Sequence, residues 1–394
     1  MIDIKTDVHI TGAGLIGLFT ALVLNKNGYD VVISEKDLNY NNRATQYDNR
    51  TVAISEGTKK FLEKQDFWKS ISEDAQPIEK IEVIDREKTD KLNFLNKIEG
   101  SKLGYIIKNQ TLSKKIIKRL MVNKNFKIII DDNKINQLEI KNSFIVSSSV
   151  NRKIHSDLIV AADGKNSSIK NILKISSYKK NYNKNALVLC FEHTNSHNNT
   201  AYEYFYDSGP LAILPMKKEN KNFCSSIVWT LNKNYSSALM DIPNERLIEI
   251  LNKKVEKTLG RIKKIKSKKI FPLSAHLNSK FYSNRVIFVG DSAHSVHPIA
   301  GQGWNLGMRD VKAIDFLSKK YKGLGIELGT NEFCKEYHDN CFYDAYRLYQ
   351  ITDKFDTIFK SNNLFVSSLR SQGFRFISKR NNLKNFITDF AMGV

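Results

Sequence analysis

The chain predicts an α/β protein with α+β elements: an open parallel sheet interleaved with an antiparallel sheet, then closing helices. Three observations carry that expectation. Asp7–Asp37 reads strand, tight turn, helix, strand. Two later apolar strands, in DLIVAADG and RVIFVGD, each end on a glycine beside an acid, at Asp163 and at Gly290-Asp291. Between Ile175 and Phe271 the pattern changes to short alternating segments, as expected of an antiparallel sheet.

In the first segment, Val8 and Ile10 suit a buried parallel strand running into Gly12. Leu15, Leu18, Phe19, Leu22 and Val23 recur at helical spacing, and Gly28 stands where that helix stops. Val31–Ile33 begins a second strand that ends on Glu35. Gly12-Ala13-Gly14-Leu15-Ile16-Gly17 therefore lies between a strand and a helix, the context in which such glycines bind a dinucleotide. Gly12 turns the chain, Gly14 admits a pyrophosphate, and Gly17 allows close helix–strand packing. The phosphates would face backbone N–H groups at the positive end of the helix. Glu35 can accept hydrogen bonds from an adenosine ribose and would repel a 2′-phosphate, which points to FAD or NAD and away from NADP.

The other two strand ends separate FAD from NAD. A carboxylate beside a glycine at a strand end, at Asp163 and again at Asp291, can reach a polyhydroxy chain and accept its hydroxyl protons. FAD carries such a chain, the ribitol, and NAD does not. Either aspartate alone reads equally well as a helix N-cap. All three stations in this order favour FAD.

GAGLIG, ADGKNSSIK and GDSAHSVHPIAGQGWNLGMRD together resemble the three fingerprints of the single-component flavin aromatic hydroxylases, whose type member hydroxylates para-hydroxybenzoate. DNRTVAIS, GYIIKNQTL, GPLAILPM, SIVWTL and the closing DFAMG resemble the ubiquinone-biosynthesis branch of that family, so the likeness covers nearly the whole chain. The resemblance implies that Gly12, Ala13, Gly14 and Gly17 hold the FAD pyrophosphate and Glu35 the ribose. It places Arg50 in the loop approaching the isoalloxazine, Gln110 and Asp163 along the cofactor cleft, and Gly290-Asp291 at the ribitol. Pro298 and Gly301–Asn305, including Gly303, would sit beside the ring, with Asn305 opening a helix whose N-terminus stabilises negative charge on reduced flavin. Residues 1–75, 104–175 and 276–330 are expected to form a discontinuous Rossmann-like FAD-binding domain. Residues 76–103 and 176–275 then form the substrate-binding β domain, and 331–394 a C-terminal helical region.

His294 and His297 are three apart, but Pro298 follows directly and no acidic or thiol third ligand is evident, so no metal site is expected. Both read as structural residues of the flavin loop, with His297 packed near the ring. No catalytic acid or base is assigned; Arg50, His297 and Pro298 are the candidates for a contribution. Lys170 stands where the family commonly has arginine, keeping charge without a bidentate fork. Trp304 is expected to narrow the flavin edge of the pocket.

On the substrate side, Tyr202, Tyr204 and Tyr206 share one face of a strand and Phe205 the other. That tyrosine face can line a pocket or pack within the sheet, and packing is the reading adopted. Segments near Ile81–Asp85 and Lys91–Leu95 are expected to join the antiparallel sheet. Ile351–Ile377 reads as a closing helix, with an amphipathic membrane or partner contact as the alternative.

The 394 residues carry a formal charge of +21, with lysines dispersed along the chain. Such a field favours anionic surfaces such as phospholipid headgroups, but no nucleic-acid module accompanies it. The N-terminus lacks a signal-peptide layout, so a cytoplasmic location is expected, with possible peripheral work on the inner membrane face. The four cysteines form no CxxC pair and read as reduced thiols. The resemblance implies ring hydroxylation of a lipophilic polyprenylated phenol or benzoquinol on the way to ubiquinone. NAD(P)H, a transient donor, would reduce the flavin, and dioxygen adding at flavin C4a would form a hydroperoxide that delivers one oxygen. The rivals are an isoprenoid reductase or epoxidase on the same scaffold, and a flavin-bearing subunit of a biosynthetic complex without turnover.

Overall fold

The computed structural model describes residues 2–36, 50–85, 91–96, 102–131, 134–297 and 301–360, with residues 376, 380 and 382 besides. Strand β1 (Ile2–Thr11), helix α1 (Leu15–Lys26) and strand β2 (Val31–Glu35) form the opening unit. Every side chain of α1 from Gly17 to Leu24 is buried, because the helix is apolar on nearly all sides. Strand β3 (Thr51–Ser55) runs into α2 (Glu56–Lys64), where the Ser55 hydroxyl accepts from the Thr58 N–H as an N-cap. Helix α3 (Trp68–Ile71) precedes β4 (Gln76–Ile78), β5 (Lys80–Asp85), β6 (Lys91–Leu95) and β7 (Gly104–Lys108). Helix α4 (Asn109–Leu120) and β8 (Phe126–Ile130) follow, then β9 (Gln137–Ile140), β10 (Ile145–Ser148), β11 (Arg152–Ala161) and the short α5 (Ser168–Ile172).

The second half opens with β12 (Ser177–His193), β13 (Thr200–Tyr206), β14 (Gly209–Glu219) and β15 (Asn222–Asn232). Helices α6 (Lys233–Asp241) and α7 (Asn244–Leu259) lead into β16 (Ile262–Asn278). Strands β17 (Tyr282–Ser283), β18 (Val286–Phe288) and β19 (His294–Ser295) precede the long helices α8 (Gln302–Gly323) and α9 (Asn331–Lys360).

The first sheet runs β17-β18-β11-β1-β2-β8, with β10 and β9 added beside β11. Its centre, β18, β11, β1, β2 and β8, is parallel. The chain moves outward from β1 to β2 on one side and returns to β11 on the other. The carboxyl ends of β1 and β11 therefore open a crevice at the switch point, where ligands of such sheets bind.

The second sheet runs β19-β16-β12-β15-β14-β13-β5-β6. Leu247, Leu251, Val255 and Leu259 of α7, spaced by one helical turn, are all fully buried against one face with Leu187, Ile213 and Trp229. Burying each such side chain contributes roughly 1.5–3 kcal/mol. Tyr204 packs in the same layer, stacked on Tyr206 with centroids 5.7 Å apart, so the tyrosine face serves packing. One pairing departs from the expected antiparallel pattern: β5 lies parallel to β13, with Glu203 opposite Val83. The short segments signalled strands but not direction, since no turn joins them.

The opposite face of this sheet looks toward β3, β4 and β7. Cys190, Ala201, Met216 and Cys224 pack there against Ile78, Leu103 and Ile106, with Ala53 of β3 beside them. Strands β3, β7 and β4 form a small third sheet wedged between the two large ones.

Candidate functional site

The crevice is built around the turn from β1 into α1. Gly12 has φ +105°, and a β-carbon on it would lie 2.5 Å from the Ala162 carbonyl oxygen and 3.0 Å from the Asp163 Cα. The glycine turn after β1 and the second acidic station after β11 therefore meet at the ends of adjacent strands. A β-carbon on Gly17 would strike the Gly12 carbonyl oxygen, so only glycine lets the helix pack this closely onto the turn. The third station abuts the same turn: Gly290 (φ +54°) would place a β-carbon 3.1 Å from the Ile16 side chain. The Val289 N–H donates to the Ala161 carbonyl at 3.0 Å, locking β18 to the end of β11. At Gly14, Gly164 and Gly303 an added β-carbon would meet none of the described residues within 4 Å.

Glu35 closes the other side. Its Oε2 accepts the Ala13 N–H at 2.6 Å and its Oε1 the Lys36 N–H at 2.8 Å, so the acid is held directly against the glycine turn. Asp163 accepts from the Ser168 N–H at 2.7 Å and the Ser168 hydroxyl at 3.1 Å, both on Oδ2. It thus holds the first residue of α5, whose N-cap is Ser167, the Ser167 hydroxyl accepting the Lys170 N–H at 3.1 Å; the N-cap role weighed for Asp163 on sequence belongs to that serine. The other Asp163 oxygen, Oδ1, is buried and has no hydrogen-bond partner among the described residues. An orphaned carboxylate oxygen beside the turn is the acceptor a bound hydroxyl or amide would satisfy.

Asp291 is exposed to solvent yet surrounded by protein mass, as a residue on a cleft wall would be. Loss of surrounding water pushes its carboxyl upward, while His294, Lys165 and Arg50 pull it back. Behind it, the Asp310 Oδ2 of α8 accepts the Gly290 N–H at 2.8 Å and lies 2.7 Å from His294 Nε2. Both members of that pair are buried; burial lowers the His294 pKa, but the charge and hydrogen bond of Asp310, with Asp291 and Asp344, outweigh it and leave the pKa above the ordinary value. Asp310 thus fixes the turn that carries Asp291. The sequence reading did not single it out, although it ends the quoted third fingerprint.

Helix α8 opens at Gln302, with Gly301 (φ +62°) as its N-cap, and not at Asn305 as the sequence suggested. Asn305 lies one turn in and clamps β3. Its Oδ1 accepts the Ser55 N–H at 3.0 Å and the Thr58 hydroxyl at 2.9 Å, and its Nδ2 donates to the Ala53 carbonyl at 2.8 Å. That asparagine therefore positions the neighbouring strand. Trp304 packs edge-on to Phe19 with centroids 6.1 Å apart. His297 is buried edge-on to Tyr182 at 4.8 Å, consistent with a packing role. Pro298 lies outside the described residues.

Arg50 is exposed, and its guanidinium lies 5.4 Å from the centre of the Phe271 ring on the second sheet. Its carbonyl accepts the Asn109 N–H at 2.9 Å, which brings Gln110, in the first turn of α4, next to the same loop. Lys170 is buried and donates to the Lys165 carbonyl at 3.3 Å; burial, then Lys179, lowers its pKa. Among the described residues no cluster of His, Cys, Asp and Glu could hold a metal ion. Among them, too, no helix is long and apolar enough to cross a membrane.

The donor set suits an extended dinucleotide. The positive end of α1 lies beside the glycine turn, an acid is held at the end of β2, an orphaned acceptor stands at Asp163, and Asp291 lines the cleft wall. The fit is to FAD in particular, because the third station offers a carboxylate that a nicotinamide dinucleotide has no polyol to meet.

The comparisons agree with this geometry. The chain is 28% identical over 391 residues to "Ubiquinone hydroxylase UbiL" of Rhodospirillum rubrum, covering 99% of this chain and 90% of that protein. It is 24% identical to "Ubiquinone biosynthesis monooxygenase COQ6, mitochondrial" of Dictyostelium discoideum, covering 98% of this chain and 91% of that one. It shares the fold of p-nitrophenol 4-monooxygenase PnpA from Pseudomonas putida, with a TM-score of 0.80 at 16% identity, over 100% of this chain and 98% of that one. The family described as FAD binding domain matches residues 5–328, and the chain belongs to that family.

Proposed function

We propose that this chain is an FAD-dependent monooxygenase that hydroxylates the aromatic ring of a polyprenylated phenol or benzoquinol in ubiquinone biosynthesis. The observation that carries the reading is the meeting of three glycine-and-acid stations at one crevice, with a second sheet facing it. Relatives named for ubiquinone hydroxylation, matched along almost their whole length, supply the substrate class.

In this reading Gly12, Ala13, Gly14 and Gly17 lie along the FAD pyrophosphate, with the Ala13 N–H turned to Glu35 beneath the ribose. Gln110 and Asp163 line the middle of the cofactor. Gly290 and Asp291 face the ribitol, while Arg50, Pro298, Gly301, Gly303 and Asn305 frame the ring end. Residues 1–75, 104–175 and 276–330 form the cofactor domain, 76–103 and 176–275 the substrate domain, and 331–394 the helical end. Bound FAD, reduced by NAD(P)H, supplies the activation of dioxygen for insertion of one oxygen into an electron-rich ring. The chain binds and orients the ring, excludes water and sets local charge. The first turn of α8 brings a helix N-terminus to the ring end, where it stabilises negative charge. A prenylated substrate partitions into lipid, and the +21 charge favours anionic headgroups, which supports peripheral work at a membrane face.

The test is substrate-stimulated NAD(P)H oxidation by the FAD-loaded protein under isotopically labelled dioxygen. One labelled oxygen in the ring of the product is expected. NAD(P)H oxidation that a prenylated phenol does not stimulate, or product without label, would refute the reading.

A further inference from the structure

The flavin-facing side of the second sheet carries one feature the cofactor site does not use. Val83 of β5, Glu203 of β13, Ala212 of β14, Val228 of β15 and Val188 of β12 stand opposite one another in unbroken register across five strands. All five are half-buried; on β13, β15 and β12 the residues two places to either side are buried, whereas Ile81 on β5 and Leu214 on β14 are half-buried as well. The row is therefore a shallow trough, closed on the Phe205 side and partly open beside Ile81 and Leu214. Its face is fixed by its neighbours: Tyr202 and Tyr204 pack beneath α7, while Ala201 packs toward Ile78, Ile106 and Ala53, and Glu203 shares the side of Ala201. The row borders the cofactor crevice along its side next to Glu203: Ala201, two residues before Glu203, packs in one cluster with Ala53 of β3, and Gly301 at the start of α8 would place a β-carbon 3.2 Å from the Ala53 side chain. Thr51 of β3 also touches Ser226 of the same face, their hydroxyls 3.5 Å apart.

Four of the five trough residues are apolar, and the fifth is a carboxylic acid. Among the described residues Glu203 has no hydrogen-bond or ion-pair partner. A carboxyl in an apolar wall with no partner is unfavourable for the empty fold. Loss of water pushes its pKa up to about 8, so near neutrality it is mostly an uncharged acid, able both to donate and to accept a hydrogen bond. The length of the row, four strand spacings or roughly 19 Å, accommodates a six-membered ring and the start of a tail.

We propose that this trough seats the substrate's aromatic ring and that Glu203 hydrogen-bonds its ring hydroxyl, making it a specificity-determining residue. This rests on the phenol-hydroxylase reading given above. The apolar neighbours accept the ring by contact alone, and the carboxyl selects rings that carry oxygen. A site that hydrogen-bonds a hydroxyl discriminates against analogues lacking it, because its own polar group is then left unpaired.

The experiment titrates 2-geranylphenol and geranylbenzene, which differ by the hydroxyl alone, against the FAD-loaded protein, reading perturbation of the flavin absorption band. Wild type is expected to prefer the phenol by roughly tenfold. Glu203→Leu should reduce that preference to near unity without weakening geranylbenzene, and Glu203→Gln, whose amide also donates and accepts, should retain most of it. A merely structural carboxyl would shift both affinities together. If Glu203→Leu keeps the wild-type preference, the inference fails alone and the phenol-hydroxylase reading stands. If wild type itself shows no preference for the phenol, both fail.

Discussion

Asp291 shows how little of a side chain's role lies in its own contacts. Its usefulness to a polyol depends on Gly290, held in the left-handed region by packing on Ile16, and on Asp310 gripping the Gly290 N–H. Asp291→Ala should weaken FAD retention by about 10- to 100-fold, the worth of one or two charge-assisted hydrogen bonds, with little change in Tm of the flavin-free chain. Asp163→Ala should do both. It removes an acceptor from the crevice and also the two hydrogen bonds that hold Ser168 at the start of α5, worth about 1 kcal/mol or more, so flavin affinity and apoprotein Tm should fall together. Equilibrium dialysis of FAD beside thermal melts of the apoproteins separates the two patterns, and an Asp291→Ala protein with full flavin occupancy would remove that residue from the ribitol. The three acids were legible in sequence because each ends an apolar run beside a glycine. Asp310 and Glu203 were not: one acts sixteen residues from His294 through the return of a helix, and the other looks like an ordinary polar residue between tyrosines.

At the scale of elements, the opening β1–α1–β2 unit was readable in full, since buried strands and an all-apolar helix leave strong periodic signals. The faces of β13 were harder. Tyr202, Tyr204 and Tyr206 alternate with Glu203 and Phe205, and only the placement of α7 decides which set is covered. The parallel pairing of β5 with β13 joins segments more than a hundred residues apart, and alternation carries no register over that distance. Packing in the first unit makes two predictions. Gly17→Ala drives a methyl group into the Gly12 carbonyl, so it should cost at least about 3 kcal/mol by chemical denaturation or prevent folding. A loss below 1 kcal/mol would mean that the turn can yield. His9 on β1 is fully buried between the hydroxyls of Ser147 and Ser34, 2.8 Å from each, and burial lowers its pKa to about 3. The folded chain therefore keeps this ring neutral while the unfolded chain protonates it near pH 6.5. Its stabilisation is full above pH 6.5 and drains away as pH falls toward 3. Melting temperatures from pH 7 to pH 4 should drop less steeply in His9→Gln than in wild type, and identical slopes would exclude the histidine as a source of acid sensitivity.

Across the whole molecule, the parallel sheet brings its switch point under the inward face of a second sheet, with β3 as the hinge of contact between them. Asn305 clamps that strand from α8, and Thr51 meets Ser226 on the facing sheet. The cofactor crevice and the inward face of the second sheet thus share one boundary. The central claim is that residues 12–17, 35, 163 and 290–291 grip a single extended FAD. Its most direct measurement is the stoichiometry of flavin released on denaturing the FAD-reconstituted protein, resolved by chromatography. One FAD per chain in wild type, lost on gel filtration of Asp291→Ala, is the predicted result; a chain that takes up no FAD, or that retains NAD in its place, would contradict it.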